Sequence, residues 1–174
     1  ILNISVGACS KRGMSENSAL VKGVNRAWDA GLVVVVAAGN NGPRTMSITT
    51  PGISRKVITV GCSDDDREVL VGGNRMVDYS GRGPTAACIC KPDLVAPGCS
   101  VVSCSSRADK YTIKSGTSMS TPIVSGAVAL LLERFPDMTN KDVKLRLRES
   151  SVDIGLPRNQ QGWGLLDVGK MIGK

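Results

Sequence analysis

Apolar positions fall along this chain in two rhythms. Residues 1–6, ILNISV, form a short apolar run that reads as a strand. Residues 15–30, SENSALVKGVNRAWDA, open on Ser15 and place Ala19, Val24, Ala27 and Trp28 at helical spacing, and Gly31 stops the helix. Residues 32–40, LVVVVAAGN, are apolar and β-branched without alternation, the pattern of a strand buried on both faces. Residues 57–61, VITVG, repeat that pattern. Strand, helix and strand in this order predict a βαβ unit, with parallel pairing and a right-handed crossover.

Further along, Gly72-Gly73 within residues 69–80 predicts a hairpin turn. Residues 81–98, GRGPTAACICKPDLVAPG, are rich in proline and glycine and read as a surface loop. VVSC at 101–104 reads as a short strand, and a buried helix is expected from 118 to 135, stopped by Pro136. Thr139 with Asp142 has the form of a capping box. The helix it starts sets Val143, Leu145 and Leu147 among charges, as on an amphipathic surface helix. Residues 162–173 read as a turn and a last helix. Asn3-Ile4-Ser5 matches the glycosylation sequon, but it lies in an expected buried strand and is set aside.

Composition narrows the picture. The chain of 174 residues is long enough for one domain with a core, and 41% hydrophobic and 21% charged residues are ordinary for a globular one. Aromatics are only 3%, so Val, Leu, Ile and Ala must build the core, as in an α/β sheet wrapped by helices. The net charge of +7 is scattered, densest at residues 141–148, and is not interleaved with stacking aromatics. Nucleic acid is therefore not an expected partner. Nor is a membrane, because the apolar run at 123–132 is short and broken by Ser125 and Gly126. The six cysteines are Cys9, Cys62, Cys88, Cys90, Cys99 and Cys104. The Cys88-x-Cys90 spacing is too tight for a zinc knuckle, and with no histidine only thiolates and carboxylates could complete a metal site. Reduced, partly buried thiols in a reducing compartment are the expectation, with oxidised pairs left open.

Two segments carry candidate chemistry. Gly116-Thr117-Ser118 runs directly into a helix, with Pro122 in its first turn. A serine there sits by free backbone N–H groups and the positive end of the helix dipole, which stabilise negative charge developing beside it. Serine and threonine are also ordinary helix caps, so the pattern alone does not make a nucleophile. Residues 37–43, AAGNNGP, lie at the carboxyl end of the buried strand, where open α/β sheets bind ligands. The Asn40 amide there can donate to an oxyanion, or it can serve only as a turn residue. An attacking serine needs a base, usually histidine, and this chain has none.

Together, GTSMSTP at 116–122 and AAGN at 37–40 resemble the subtilisin-like serine peptidases. NISVG (3–7), TPG (50–52), VITVG (57–61), YSGRGP (79–84), KPDLVAPG (91–98) and GWGLLD (162–167) extend the resemblance over essentially the whole chain. It implies a subtilisin-like α/β fold, a parallel sheet flanked by helices. It implies that Ser118 is the nucleophile and that Asn40 and the Ser118 N–H are the oxyanion donors. It also implies a peptide groove. Ser5, Val6 and Gly7 would pair with substrate backbone as one wall. Ala37, Ala38 and Gly39 would line the pocket for the side chain before the scissile bond. Thr49 would stand at the pocket base, where many members carry glycine, making the pocket shallower or more polar. Thr50-Pro51 resembles a cis-proline site. Ile123 replaces a family histidine that lies outside the triad.

In this family the triad order is Asp, His, Ser, so the resemblance implies that residues 1–174 are the C-terminal portion of a catalytic domain. The fragment alone is expected to be inactive, and the complete protein to be a serine endopeptidase acting on polypeptides through an acyl-enzyme. The alternative is a pseudopeptidase of the same fold that binds peptides or proteins. The chemistry needs no cofactor. Members often bind structural calcium, but no carboxylate cage is legible, and Asp64-Asp65-Asp66 reads as a solvated turn. With the first strand left as an open edge, the expected partners are the missing N-terminal part, or a second copy in a homodimer or swapped assembly. The compartment is unassigned, with a lean to an intracellular, bacterial-type enzyme.

Overall fold

The computed structural model describes residues 1–8, 17–106 and 110–173. Its centre is a four-stranded parallel sheet of β1 (Leu2–Ile4), β2 (Val34–Ala37), β3 (Ile58–Cys62) and β6 (Leu94–Ala96), in that spatial order. The register pairs Asn3 with Val35, Val36 with Thr59 and Gly61 with Val95. Strands β2, β3 and β6 are buried throughout, which is why their sequences are continuously apolar.

Helix α1 (Ala19–Asp29) makes the crossover from β1 to β2 and is capped by the Ser18 hydroxyl, which accepts from Val21 N. The helix start expected at Ser15 lies outside the described residues, as does Cys9. The hairpin of β4 (Val69–Val71) and β5 (Asn74–Met76) turns on Gly72 and Gly73, with φ of 58° and 90°, a conformation that favours glycine. A second hairpin joins β7 (Val101–Cys104) to β8 (Tyr111–Lys114), a strand the sequence pattern did not reveal.

Helix α2 (Thr117–Arg134) lies across the sheet. Val124, Ala127, Val128 and Leu131 join the main core with Val34, Ile58 and Leu94. Helix α3 (Asn140–Ser150) begins with the expected capping box, and buries Val143 and Leu147 while Leu145 faces out. The short helices α4 (Arg158–Gln161) and α5 (Val168–Ile172) complete the chain, and Met171 of α5 is fully buried.

Three expectations are corrected. Residues 81–98 are not only surface loop, because they contain β6, buried on both faces beside β3. Proline and glycine on both sides of LVA mask so short a strand. The first strand is not buried, since Leu2 and Asn3 are both exposed. Burial was therefore no reason to set the sequon aside. Nor is Asp64-Asp65-Asp66 simply a solvated turn. Asp64 Oδ1 accepts from Gly98 N and Cys99 N, and buried Asp65 accepts from Ser80 N at 2.7 Å. These carboxylates hold neighbouring loops in place of water. Burial pushes the Asp65 pKa above the usual carboxylate value, against the pull of the Ser80 N–H.

Candidate active site

The carboxyl ends of β1 and β2 converge on the N-terminus of α2. Gly116 precedes the helix with φ of 138°, a left-handed conformation that favours glycine, and its N–H donates to Gly98 O at 2.9 Å. A Cβ on Gly116 would stand 3.2 Å from Asn40 Nδ2, so glycine also lets the Asn40 amide approach the helix start. Ser118 is the second residue of α2 and is half-buried.

Thr117 ties Asn40 down. Its N–H and its hydroxyl both donate to Asn40 Oδ1, each at 3.0 Å, and its hydroxyl accepts from Gly39 N at 3.1 Å. A backbone N–H can only donate, so the amide atom facing it must be the oxygen, which leaves Nδ2 as the donor end of the side chain. The sequence reading passed over Thr117 although it stood inside the quoted motif. Its signal was a hydroxyl placed next to the nucleophile candidate.

Ser118 Oγ donates to Ser5 O at 3.1 Å, and Ser5 Oγ donates back to Ser118 O at 3.0 Å. The end of β1 is thus fixed beside the hydroxyl. From there Val6 and Gly7 are exposed, and Ala8 exchanges backbone hydrogen bonds with Thr50. On the other side Ala37 and Ala38 are buried and Gly39 is half-buried. Thr49 lies between these walls. Its N–H and its hydroxyl both donate to Ala38 O, at 2.9 and 3.3 Å. A Cβ placed on either Gly7 or Gly39 would overlap the Thr49 side chain. The candidate residues thus lie on the segments at the carboxyl ends of β1 and β2 and at the start of α2, and Thr49 fills the space between Gly7 and Gly39. The Thr50–Pro51 bond is cis.

The opposite, amino end of the sheet holds a different polar cluster. Lys91, 1% exposed, donates to Val57 O at 3.0 Å and to Asp93 Oδ2 at 2.5 Å, and that oxygen also accepts from Thr59 N. Burial pushes the Lys91 pKa down to about 8, although the Asp93 carboxylate pulls it back up. Lys144 reaches Asp93 Oδ1 at 3.5 Å and stands over the Trp28 ring. A cavity of about 610 Å³ opens nearby, against Trp28, Lys56 and Asn140. Because Trp28 and Lys56 precede β2 and β3, this cavity is at the far end of the sheet from Ser118 and does not serve its chemistry.

Among the described residues, no group of three or more His, Cys, Asp or Glu side chains is placed to hold a metal ion. Nor is any described helix long and apolar enough to cross a membrane. The five described cysteines are unpaired. Cys62 is buried, whereas Cys88, Cys90 and Cys104 are exposed.

A parallel sheet under a helix whose second residue is Ser118, with an asparagine amide just beyond the end of β2, is the subtilisin-like α/β fold. Residues 1–164 match the Subtilase family, and the chain belongs to that family. It is 40% identical over 165 residues to serine protease AprX of Bacillus subtilis (strain 168), an alignment covering 87% of this chain and 37% of AprX. It is 34% identical over 170 residues to subtilisin DY of Bacillus licheniformis, covering 97% of this chain and 55% of that protein. The solved structure of sphericase superposes with a TM-score of 0.76 at 30% identity, over 95% of this chain and 56% of that one. The chain therefore spans 37% to 56% of the length of these three relatives.

Proposed function

We propose that this chain supplies the nucleophile, the oxyanion hole and the substrate cleft of a serine endopeptidase. The carrying observation is the geometry at Thr117. It orients the Asn40 amide so that its donor end is available beside Ser118, a residue at a helix N-terminus. In the reaction Ser118 Oγ attacks a peptide carbonyl, and the oxyanion is held by Asn40 Nδ2 and the Ser118 N–H. Water then releases the acyl group. The proton of Ser118 must pass to a base. With no histidine in these 174 residues, we place that base in another part of the same catalytic domain.

The 174 residues alone are accordingly inactive. Among the described residues β1 pairs only with β2, and its outer edge is the docking place for that missing part. Deprived of it, the isolated chain associates through the same edge, as a homodimer or a swapped assembly. No cofactor enters this chemistry. Exposed unpaired thiols at Cys88, Cys90 and Cys104 favour a reducing, intracellular compartment.

The test is labelling of the full-length gene product by a fluorophosphonate serine probe beside a Ser118→Ala control. Labelling that requires Ser118 is the expected result. A folded protein that stays unlabelled would instead make this a pseudopeptidase that binds peptides in the same cleft. Robust turnover by the purified 174-residue chain would overturn the assignment of the base to another segment.

A further inference from the structure

Four polar residues, from β1, the residue just after it, and α2, are strung into one directed hydrogen-bond chain. Ser125 Oγ donates to Asn3 Oδ1 at 2.8 Å, and Asn3 Nδ2 donates to Ser5 Oγ at 3.2 Å. Ser5 Oγ donates to Ser118 O at 3.0 Å, and Ser118 Oγ returns a bond to Ser5 O at 3.1 Å. Donor and acceptor roles allow one direction only. Ser118 O can only accept, so the Ser5 proton lies there and the lone pairs of Ser5 Oγ face Asn3. The facing atom of Asn3 must then be its NH₂, which turns the amide oxygen toward Ser125. The Ser125 proton completes the series, shared with Thr121 O at 3.2 Å.

The spacing that permits this is set by secondary structure. Asn3 and Ser5 are two residues apart on an extended strand and share a side. Ser118 and Ser125 are seven apart on a helix, about two turns, and share a face. The ladder between β1 and β2 ends at Ile4, and the next backbone anchor described is Ala8 on Thr50. Between those anchors, side-chain bonds hold the Ser5 carbonyl over Ser118.

We infer that Asn3, Ser5 and Ser125 form a clasp of positioning residues that holds the backbone carbonyl of Ser118 and the end of β1 beside it, and that the reactivity of Ser118 depends on it. This inference rests on the reading of Ser118 as a nucleophile. The bond from Ser5 Oγ holds the peptide group that follows Ser118, and it persists when the Ser118 proton leaves Ser5 O for the base. Asn3 and Ser125 keep the Ser5 hydroxyl turned toward that peptide group. Small displacements matter because an attacking atom about 1 Å out of place loses on the order of 10²-fold in rate.

The experiment measures three quantities on the full-length gene product: the fluorophosphonate labelling rate, kcat and KM on a peptide substrate, and the thermal midpoint. Asn3→Asp keeps the shape of the side chain but cannot donate to Ser5 Oγ. Ser125→Ala removes the far donor, and Ser125→Thr restores a hydroxyl. Expected is a loss of about tenfold in labelling rate and kcat for Asn3→Asp and Ser125→Ala, part of the misplacement cost given above. KM and the thermal midpoint should stay near wild type, and Ser125→Thr should recover the rate. Wild-type labelling by Asn3→Asp, or a rate that falls only in step with the thermal midpoint, overturns the clasp alone. A folded wild type that does not label at all overturns the nucleophile and the clasp together.

Discussion

Thr117 holds the side-chain oxygen of Asn40 with two donors, its own N–H and its own hydroxyl, each at 3.0 Å. The two residues are 77 apart in sequence, and their contact decides which end of the amide is left as a donor. Thr117→Val keeps the N–H bond and removes the hydroxyl, which also strips Gly39 N of its acceptor. A lost neutral hydrogen bond of this kind is worth about 1 kcal/mol, so kcat should fall about fivefold to tenfold with KM little changed. Thr117→Ser should restore it. Asn40→Ala should cost more, about 10²-fold to 10³-fold in kcat, a magnitude carried over from a subtilisin's side-chain oxyanion donor. Steady-state kinetics on the full-length protein separates these effects.

In the proposed substrate cleft, the depth should be set by Thr49. Its side chain fills the space between Gly7 and Gly39, and its hydroxyl is turned to Ala38 O. Substrates with Ala or Ser before the scissile bond should be cleaved faster than those with Phe or Leu. Thr49→Gly should shift the Phe-to-Ala ratio of kcat/KM upward by about tenfold or more, since each buried methylene is worth about 0.8 kcal/mol. A ratio left unchanged by the substitution would remove Thr49 from the determinants of specificity. Peptide libraries read by mass spectrometry provide the measurement.

Lys91 predicts a pH dependence of stability with a definite sign. Its folded pKa of about 8 lies below its ordinary value of 10.5 because burial penalises the charged ammonium. Between about pH 8 and 10.5 the unfolded lysine is protonated while the folded one is not, so unfolding takes up a proton and stability rises with pH. Below that window both states are charged and the penalty is constant. Relative to Lys91→Met, the wild-type protein should therefore gain stability across this interval, by up to about 3 kcal/mol. Urea unfolding of both proteins at pH 7.5 and pH 10 tests it, and a flat difference contradicts it.

Cysteine accessibility separates the thiols. Cys88, Cys90 and Cys104 should react with iodoacetamide in the folded protein. Cys62 should not. It is buried against Tyr79 and Asp64, and burial pushes its pKa up to about 12. Peptide mapping after brief alkylation, with and without denaturant, distinguishes the two groups.

Much of this protein was legible in its sequence because the signals are local. Continuous β-branched runs mark β2 and β3 as doubly buried strands, and glycine pairs mark a tight hairpin turn. Thr139 and Asp142 form a capping box because the two partners are only three residues apart. Strand β6 escaped because three residues flanked by proline and glycine carry no period. The buried role of Asp65 escaped because its partner, Ser80, is distant in sequence.

The sequence by itself determined the family and most of the elements, and it singled out Ser118 and Asn40 as candidates, since motif spacing and apolar period are properties of neighbouring residues. Only the tertiary structure decided which way the Asn40 amide faces, that the Thr49 side chain fills the space between Gly7 and Gly39, and that Asn3 and Ser125 reach Ser118 through Ser5. Those facts depend on hydrogen-bond directions and contacts between segments far apart in the chain. Parallel pairing of β1, β2 and β3 brings those segments together, and no local pattern encodes the result.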